Sequence, residues 1–245
     1  MKKKYSYRLL SMVIAIIIQP CPGEAWSTGM YIGQPSSESM RQKFRHWNLN
    51  QIEVGGSADL TLFDDSTLFK HLQLITLSGT EAQNNTWLKS LSNGYPNITA
   101  ITIHQKEPIS TDSLKLLQSF KRLNYLGVVG SPSDVSTFAS FVPVTVTQLN
   151  LSSRIVTTWS FPHTPSITTL RINQNDPIDS KFIDGLDFPN LHLLDFGNSP
   201  ISPGTLAHVE KFRKLKVVTA TKEVLTKADY QYIKKLGIKY MGTHE

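Results

Sequence analysis

The side chains that could do chemistry in this chain are its histidines, one cysteine and a few charged residues on predicted strands. The seven histidines are His46, His71, His104, His163, His192, His208 and His244. No two of them have a metal-ligand spacing such as His-x-x-x-His, and no carboxylate motif accompanies them. The sequence also contains no glycine-rich phosphate loop, nucleophile elbow or paired-acid motif. We therefore expect no metal, no cofactor and no enzymatic activity.

Three titratable side chains are nevertheless predicted to share one face of a sheet. His104, Arg171 and Asp195 each occupy an outward position on a predicted short strand. Neighbouring strands lie about 4.8 Å apart, so only Arg171 and Asp195, which come from consecutive strands, should be close. We interpret them as a cross-strand ion pair. The alternative is an enzyme or enzyme subunit, which would need a polar cluster that this sequence does not show.

The strands that carry these residues belong to a repeat. Residues 167–178 read Ile-Thr-Thr-Leu-Arg-Ile-Asn-Gln-Asn-Asp-Pro-Ile, in which Leu170 and Ile172 are two apart and would point to the same side of a strand. The leading apolar residue of this pattern recurs at Leu49, Leu72, Ile98, Leu123, Val146, Ile167, Leu191, Leu215 and Ile238. The steps between these positions are 21 to 26 residues. Such a period, with one short strand per unit, is typical of a solenoid.

The repeat resembles the leucine-rich repeat from about Leu49 to the C-terminus. The consensus asparagine is present only as Asn175. The equivalent positions in the other units are Ser57, Thr80, Lys106, Ser131, Arg154, Ser199 and Glu223. Charged side chains cannot be buried in a dry turn, so we expect differently built turns at Lys106, Arg154 and Glu223.

This resemblance implies an α/β solenoid of about nine repeats over residues 49–245. The parallel β-sheet would form the concave face, and short helices or extended returns would form the convex face. Helical returns are predicted at 111–120, 203–212 and 227–237, because each has apolar residues on one side. An extended return is predicted at 157–165, where two prolines lie among β-branched residues.

The resemblance also implies a non-enzymatic scaffold that binds a protein or peptide on the concave face. The outward residues are mostly small and uncharged, which suits binding by hydrogen bonds and modest apolar contact and does not suit nucleic acid. The candidate binding residues are Thr102, His104, Tyr125, Gln148, Asn150, Thr169, Arg171, Asn173, Asp195 and Thr219. The competing interpretation is that these are β-favouring residues on a solvated sheet.

Residues 1–25 are similar to a secretory signal peptide. They have a basic start followed by a ten-residue apolar run at 9–18, and small residues at Gly23 and Ala25. We expect export from a bacterial cytoplasm, to the periplasm or the medium, with the leader either cleaved or retained as an anchor. The residues before Cys21, the only cysteine, fit a lipid-attachment signal poorly, so we expect no lipid anchor. No other segment is long and apolar enough to span a bilayer.

Residues 26–48 show no clear repeat and are predicted to form an N-terminal cap. Trp26 to Ser37 is rich in Gly, Ser and Pro and is predicted to be irregular, and a short helix is predicted from Glu38 to Phe44. At the other end, residues 238–245 have no following copy, so one sheet edge is expected to be unpaired. We expect a monomer in dilute solution.

Positive charge accumulates late in the sequence. The predicted leader accounts for +3 of the formal net charge of +6, and the remaining excess lies in the last two repeats. The simplest interpretation is a solvated outer face. The alternative is an envelope-associated structural protein that binds anionic lipid or polysaccharide through a basic convex face.

Overall fold

An open sheet of eleven strands runs through the protein with its strands in sequence order. The computed structural model describes residues 18–19, 27–33, 38–46, 48–55, 58–104, 109–130, 138, 140–152, 161, 163–221 and 225–242. The strands are β1 (Ile18–Gln19), β2 (Ser27–Ile32), β3 (Gln51–Gly55), β4 (Leu74–Ser78), β5 (Ala100–His104), β6 (Tyr125–Val129), β7 (Gln148–Ser152), β8 (Thr169–Asn173), β9 (Leu193–Asp195), β10 (Val217–Ala220) and β11 (Lys239–Gly242). The first pair is antiparallel, and every pair from β2 to β11 is parallel.

Parallel neighbours need a crossover between them, and several crossovers in this chain are short helices. The helices are α1 (Glu38–His46), α2 (Glu81–Gly94), α3 (Thr111–Leu117), α4 (Ser180–Asp184), a 3₁₀-helix (Thr205–Lys211) and α5 (Lys227–Lys235). Side-chain oxygens of Thr80, Ser110, Asp179 and Thr226 cap the first backbone N–H groups of α2, α3, α4 and α5. The result is an α/β fold in which one parallel sheet is built from repeated units.

The core confirms the predicted repeat. All nine leading residues are buried, from 0% exposed at Leu123 to 8% at Ile238. The next inward residues pair in register from β3 to β10 as Ile52, Ile75, Ile101, Leu126, Leu149, Leu170, Leu194 and Val218. Each unit is too small to bury its own apolar side, so stacking the units produces one continuous core.

The irregular structure predicted at the N-terminus is wrong for residues 27–32. β2 pairs parallel with β3, and Met30 and Ile32 lie beside Ile52 and Val54. Both side chains are buried, so this strand contributes to the same core. The leading position of this unit is Ser27, and because serine is polar, the unit is not recognised by its apolar spacing.

Helix α1 was predicted and is present. Its Phe44 is buried and lies with its ring centroid 5.4 Å from that of Phe69. Its Arg41 contacts Asp59, and its Arg45 contacts Asp65 at 2.7 Å. The helix therefore packs beside the return segment that joins β3 to β4. The assignment of residues 26–48 as a cap stays a prediction.

Continuing the repeat from Ile238 predicts that Met241 points inward and Tyr240 outward, and this predicted register is wrong by one residue. Val218 pairs with Tyr240 and Thr219 pairs with Met241, so Tyr240 continues the inward column and Met241 continues an outward row. Tyr240 packs against the core, whereas Met241 is 45% exposed. A shift of one residue exchanges the two faces of a strand. The predicted outward position of Tyr240 is therefore incorrect.

Three return segments were predicted to be helical. Two contain the α-helices α3 and α5, and the third contains the 3₁₀-helix, which begins after Gly204 with φ of +83°. The turns predicted at Lys106, Arg154 and Glu223 lie outside the described residues, as does most of the predicted extended return at 157–165. The predicted signal peptide does too, except for Ile18 and Gln19. Within the part of the chain that the structure describes, no helix is long and apolar enough to cross a membrane.

Candidate binding face

Side chains that point away from the core form three rows across the sheet, because the strands are in register and alternate between inward and outward residues. The middle row contains Thr102, Gly127, Asn150, Arg171, Asp195 and Thr219 on β5 to β10. Tyr125, Gln148 and Thr169 lie in the row towards the amino ends of the strands. His104 and Asn173 lie in the row towards the carboxyl ends. All ten predicted residues therefore share one face of the sheet.

Four consecutive members of the middle row carry most of the hydrogen-bonding capacity of this face. Asn150, Arg171, Asp195 and Thr219 pair in register on β7, β8, β9 and β10, and we call them the polar ladder. The outer members are a carboxamide and a hydroxyl, and the inner members are a guanidinium and a carboxylate. The ladder thus presents donors and acceptors with no net charge.

The centre of the ladder is the ion pair that the sequence predicted. Arg171 Nε donates to Asp195 Oδ2 at 2.5 Å, and Asp195 Oδ1 accepts from the Gly197 N–H at 2.9 Å. The Asp195 side chain is 5% exposed, whereas that of Arg171 is 60% exposed. Because a buried carboxylate is costly without a partner, Arg171 stabilises Asp195. The guanidinium bonds Asp195 through Nε, so its Nη groups remain on the solvent side without a hydrogen bond among the described residues.

A glycine on β6 shapes the sheet next to Asn150. Gly127 lies directly beside Asn150, and Tyr125 Oη accepts a hydrogen bond from Asn150 Nδ2 at 3.0 Å. On the other side, Thr102 lies close to Gly127. A Cβ placed on Gly127 would be 2.8 Å from Thr102 Oγ1, which is shorter than real side chains tolerate. The missing side chain at Gly127 therefore permits the close approach of Thr102.

Two polar atoms of the ladder are buried without a partner. Asn150 Oδ1 and Thr219 Oγ1 have no hydrogen bond within the described residues. An unsatisfied buried polar group costs about 1–3 kcal/mol, so native proteins rarely retain one without a reason. These two atoms lie at opposite ends of the ladder, on either side of the Arg171–Asp195 pair. They are the feature of this face that most needs a ligand or bound solvent.

Gly127 was not among the predicted residues, although a glycine inside a strand is a recognised signal of close approach by a neighbour. The unpartnered atoms are not predictable from the sequence, because side-chain rotamers decide which polar atoms find partners. His104 is exposed on β5, three strands from Arg171 on β8. That separation is about 14 Å, so His104 does not join the ion pair.

Elsewhere in the described chain, titratable groups form ion pairs, and Arg45 pairs with both Glu38 and Asp65. His163 lies 3.2 Å from Asp187, and His208 lies 2.8 Å from Asp184; all four side chains are well exposed. Among the residues that the structure describes, no group of three or more His, Cys, Asp or Glu side chains is arranged to hold a metal ion.

Neither a protein-family model nor a curated protein matches the sequence of this chain.

Proposed function

We propose that this protein is a non-enzymatic scaffold of the leucine-rich-repeat type that binds a protein or peptide outside the cytoplasm. The proposed type is supported by a parallel sheet that gains one strand about every two dozen residues along a continuous core. The proposed location is supported by the basic and apolar N-terminal segment. The observation that carries the proposed binding is the polar ladder, with unsatisfied hydrogen-bonding atoms on a face that is otherwise small and uncharged.

The spacing of the ladder suits a ligand segment lying across the strands. Asn150 and Thr219 are three strand intervals apart, which is about 14 Å. An extended segment of roughly four residues covers that distance. Its N–H groups could donate to Asn150 Oδ1, and its carbonyl or carboxylate oxygens could accept from the Nη groups of Arg171. Thr219 could contribute at the far end.

The free protein covers the two unpartnered atoms, so binding would need small side-chain rotations. Rotation of the Asn150 amide would expose Oδ1, and a change in χ1 of Thr219 would expose Oγ1. The exposed Arg171 side chain needs no such change. We therefore expect Arg171 to make the first contact and to contribute most to affinity, as arginines at the centre of interfaces often do.

The test is selection of displayed random peptides against the purified protein, followed by affinity measurements on variants. Arg171→Lys keeps a positive charge beside Asp195 but removes the guanidinium fork. The control is Arg45→Lys. Arg45 lies on α1, away from the sheet face, and pairs with Asp65. We expect Arg171→Lys to weaken the selected peptides at least about tenfold and Arg45→Lys to leave them within about twofold.

Two results would contradict this proposal. One is a selection that yields no peptide above background. The other is a set of peptides whose affinity is equal in the wild type and in both Asn150→Ala and Arg171→Lys. Thermal unfolding of each variant shows whether lost binding reflects lost structure.

A further inference from the structure

The positive charge of the chain is concentrated in one segment. Residues 205–242 hold nine of the 25 Lys and Arg residues but three of the 19 Asp and Glu residues, so this segment has a formal net charge of +6. In the rest of the chain, the charge of +3 on residues 1–25 is balanced by −3 on the other residues. A separation of this kind produces a directional field that favours one end of the molecule for contact with an anion.

Six of these cations gather where the last two described strands begin. They are Arg213, Lys214, Lys216, Lys234, Lys235 and Lys239, and we call them the basic edge. The Lys239 N–H donates to the Lys216 carbonyl at 2.8 Å, which places the starts of β10 and β11 side by side. The Gly237 N–H donates to the Lys234 carbonyl at 3.0 Å, so the end of α5 turns directly into β11.

No carboxylate neutralises the basic edge within the described chain. None of its six side chains forms a salt bridge, and Lys214 Nζ donates to the neutral carboxamide of Asn190 at 2.6 Å. The two acids of this segment that the structure describes, Glu210 and Asp229, have other partners. Glu210 accepts from Tyr232 Oη at 2.8 Å, and Asp229 caps α5 at its opposite end. The six exposed cations are therefore available to an external polyanion.

Exposed apolar side chains accompany the basic edge. The large hydrophobic residues that are well exposed in the described chain are Leu60, Val144, Tyr230, Leu236 and Met241. Three of these five belong to the last unit, and Leu236 follows Lys235 directly. A soluble polyanion gains little from Leu236 or Met241, whereas a bilayer interface accommodates apolar side chains between basic ones.

We propose that the basic edge docks the protein on the surface of an anionic lipid bilayer. Five of its six cations are lysines, which act as mobile point charges towards lipid headgroups and lack the fork that reads nucleic-acid bases. Leu236 and Met241 enter the interfacial region beside them. The contact is peripheral and depends on the charge of the bilayer. It is distinct from peptide binding on the sheet face, because none of the four residues of the polar ladder belongs to the basic edge. Met241 pairs with Thr219 at the end of the ladder, so the two surfaces adjoin there.

The experiment measures co-sedimentation of the full protein with vesicles of phosphatidylcholine, with and without about one-third phosphatidylglycerol. Binding should require the anionic lipid and should fall steeply as salt shortens the Debye length from about 10 Å at 0.1 M to about 3 Å at 1 M. Each basic residue near an anionic surface strengthens binding about fivefold. The triple change Lys234→Glu, Lys235→Glu, Lys239→Glu should therefore weaken partitioning at least about 100-fold.

The matched control reverses three exposed lysines far from the basic edge, Lys43→Glu, Lys70→Glu and Lys89→Glu, and so makes the same change in net charge. It should alter partitioning less than about threefold. A third variant, Leu236→Ser with Met241→Ser, should weaken vesicle binding several-fold without changing the charge. All of these side chains are exposed, so unfolding temperatures should remain close to that of the wild type.

Each contrary result overturns a stated part of this inference. Failure to sediment with anionic vesicles at low salt excludes membrane docking. If the two triple variants lose vesicle binding equally, net charge and not the basic edge is responsible for the binding. A third contrary result has two parts. Single-stranded DNA or an acidic polysaccharide binds more tightly than vesicles at equal anionic charge, and the changes at Leu236 and Met241 have no effect on vesicle binding. This result would assign the surface to a soluble polyanion.

Discussion

Asn150 Nδ2 donates a hydrogen bond to Tyr125 Oη at 3.0 Å across the position where Gly127 has no side chain. Tyr125 and Asn150 lie in different rows of the sheet, and Gly127 lies two residues after Tyr125 on β6 and directly beside Asn150 on β7. Thr102 approaches the same space from β5. The glycine therefore lets Thr102 pack against β6 next to the residues that form this hydrogen bond.

The first prediction concerns Gly127→Ala. The added Cβ meets Thr102 Oγ1 at 2.8 Å, and overpacking a well-packed site typically costs about 1–3 kcal/mol. Part of this cost is offset, because an alanine suits an extended strand better than a glycine does. We therefore expect the free energy of unfolding to fall by about 1 kcal/mol. Chemical denaturation measures the change. In the double variant with Thr102→Ala the cost should be smaller than the sum of the single costs, and strict additivity would contradict the steric explanation.

The second prediction concerns the Arg171–Asp195 pair. Arg171→Met leaves the Asp195 carboxylate buried without its partner, and we expect it to lower the free energy of unfolding by about 2 kcal/mol. Arg171 is 60% exposed, so this value is below that of a fully buried pair. Adding Asp195→Asn should recover about half of the loss, because a neutral amide can still accept from the Gly197 N–H. An equal or larger loss in the double variant would show that the charge is not the cause.

The sequence predicted the strands from β3 to β11 because their leading residues are apolar. It failed at β2, where Ser27 takes the leading position while Met30 and Ile32 still fill the core. It also gave no prediction for α2, although Thr80 and Gln83 form a capping box that the sequence displays. Period and apolar spacing therefore specify this fold, and a single polar substitution in the pattern hides a unit.

Less of the proposed site than of the fold could be predicted from the sequence. Rows on the sheet follow from register, so the closeness of Arg171 and Asp195 could be inferred from the repeat alone. The bond from Asn150 to Tyr125 joins two rows, and it depends on rotamers and on the space at Gly127. The unpartnered atoms of Asn150 and Thr219 depend on the same details. Register is encoded by simple periodicity, whereas side-chain hydrogen bonds are decided by packing in three dimensions.

The third prediction tests the register of β11. Tyr240 packs against the core and donates from Oη to the Ala220 carbonyl at 3.1 Å, whereas Met241 is 45% exposed. Tyr240→Ala should lower the free energy of unfolding by about 2 kcal/mol, because a large, partly buried side chain is lost from the edge of the core. Met241→Ala should change it by less than about 0.5 kcal/mol. A larger effect at Met241 than at Tyr240 would restore the register predicted from the sequence.

The fourth prediction concerns acid stability, which Asp65 should influence. Hydrogen bonds from Thr67 and Arg45 lower the pKa of the Asp65 carboxyl to about 2, below its usual value of 3.8. Thr67 Oγ1 donates to Asp65 Oδ1 at 2.6 Å, and Arg45 Nη2 donates to Oδ2 at 2.7 Å. A carboxyl with a lower pKa in the folded state stabilises the protein above its unfolded pKa and loses that contribution as the pH falls. The window is therefore between about pH 4 and pH 2.

Urea denaturation from pH 7 to pH 2 measures this contribution. The Asp65 side chain is 32% exposed, so we expect about 1 kcal/mol after allowing for screening by solvent. Asp65→Asn should lower the free energy of unfolding at pH 7 by that amount and should flatten its decline below pH 4, because an amide does not titrate there. The control is Asp112→Asn, in which the exposed partner of Lys115 is replaced and the acid decline should be unchanged. A decline that keeps its full steepness in Asp65→Asn would assign the acid sensitivity to other carboxylates.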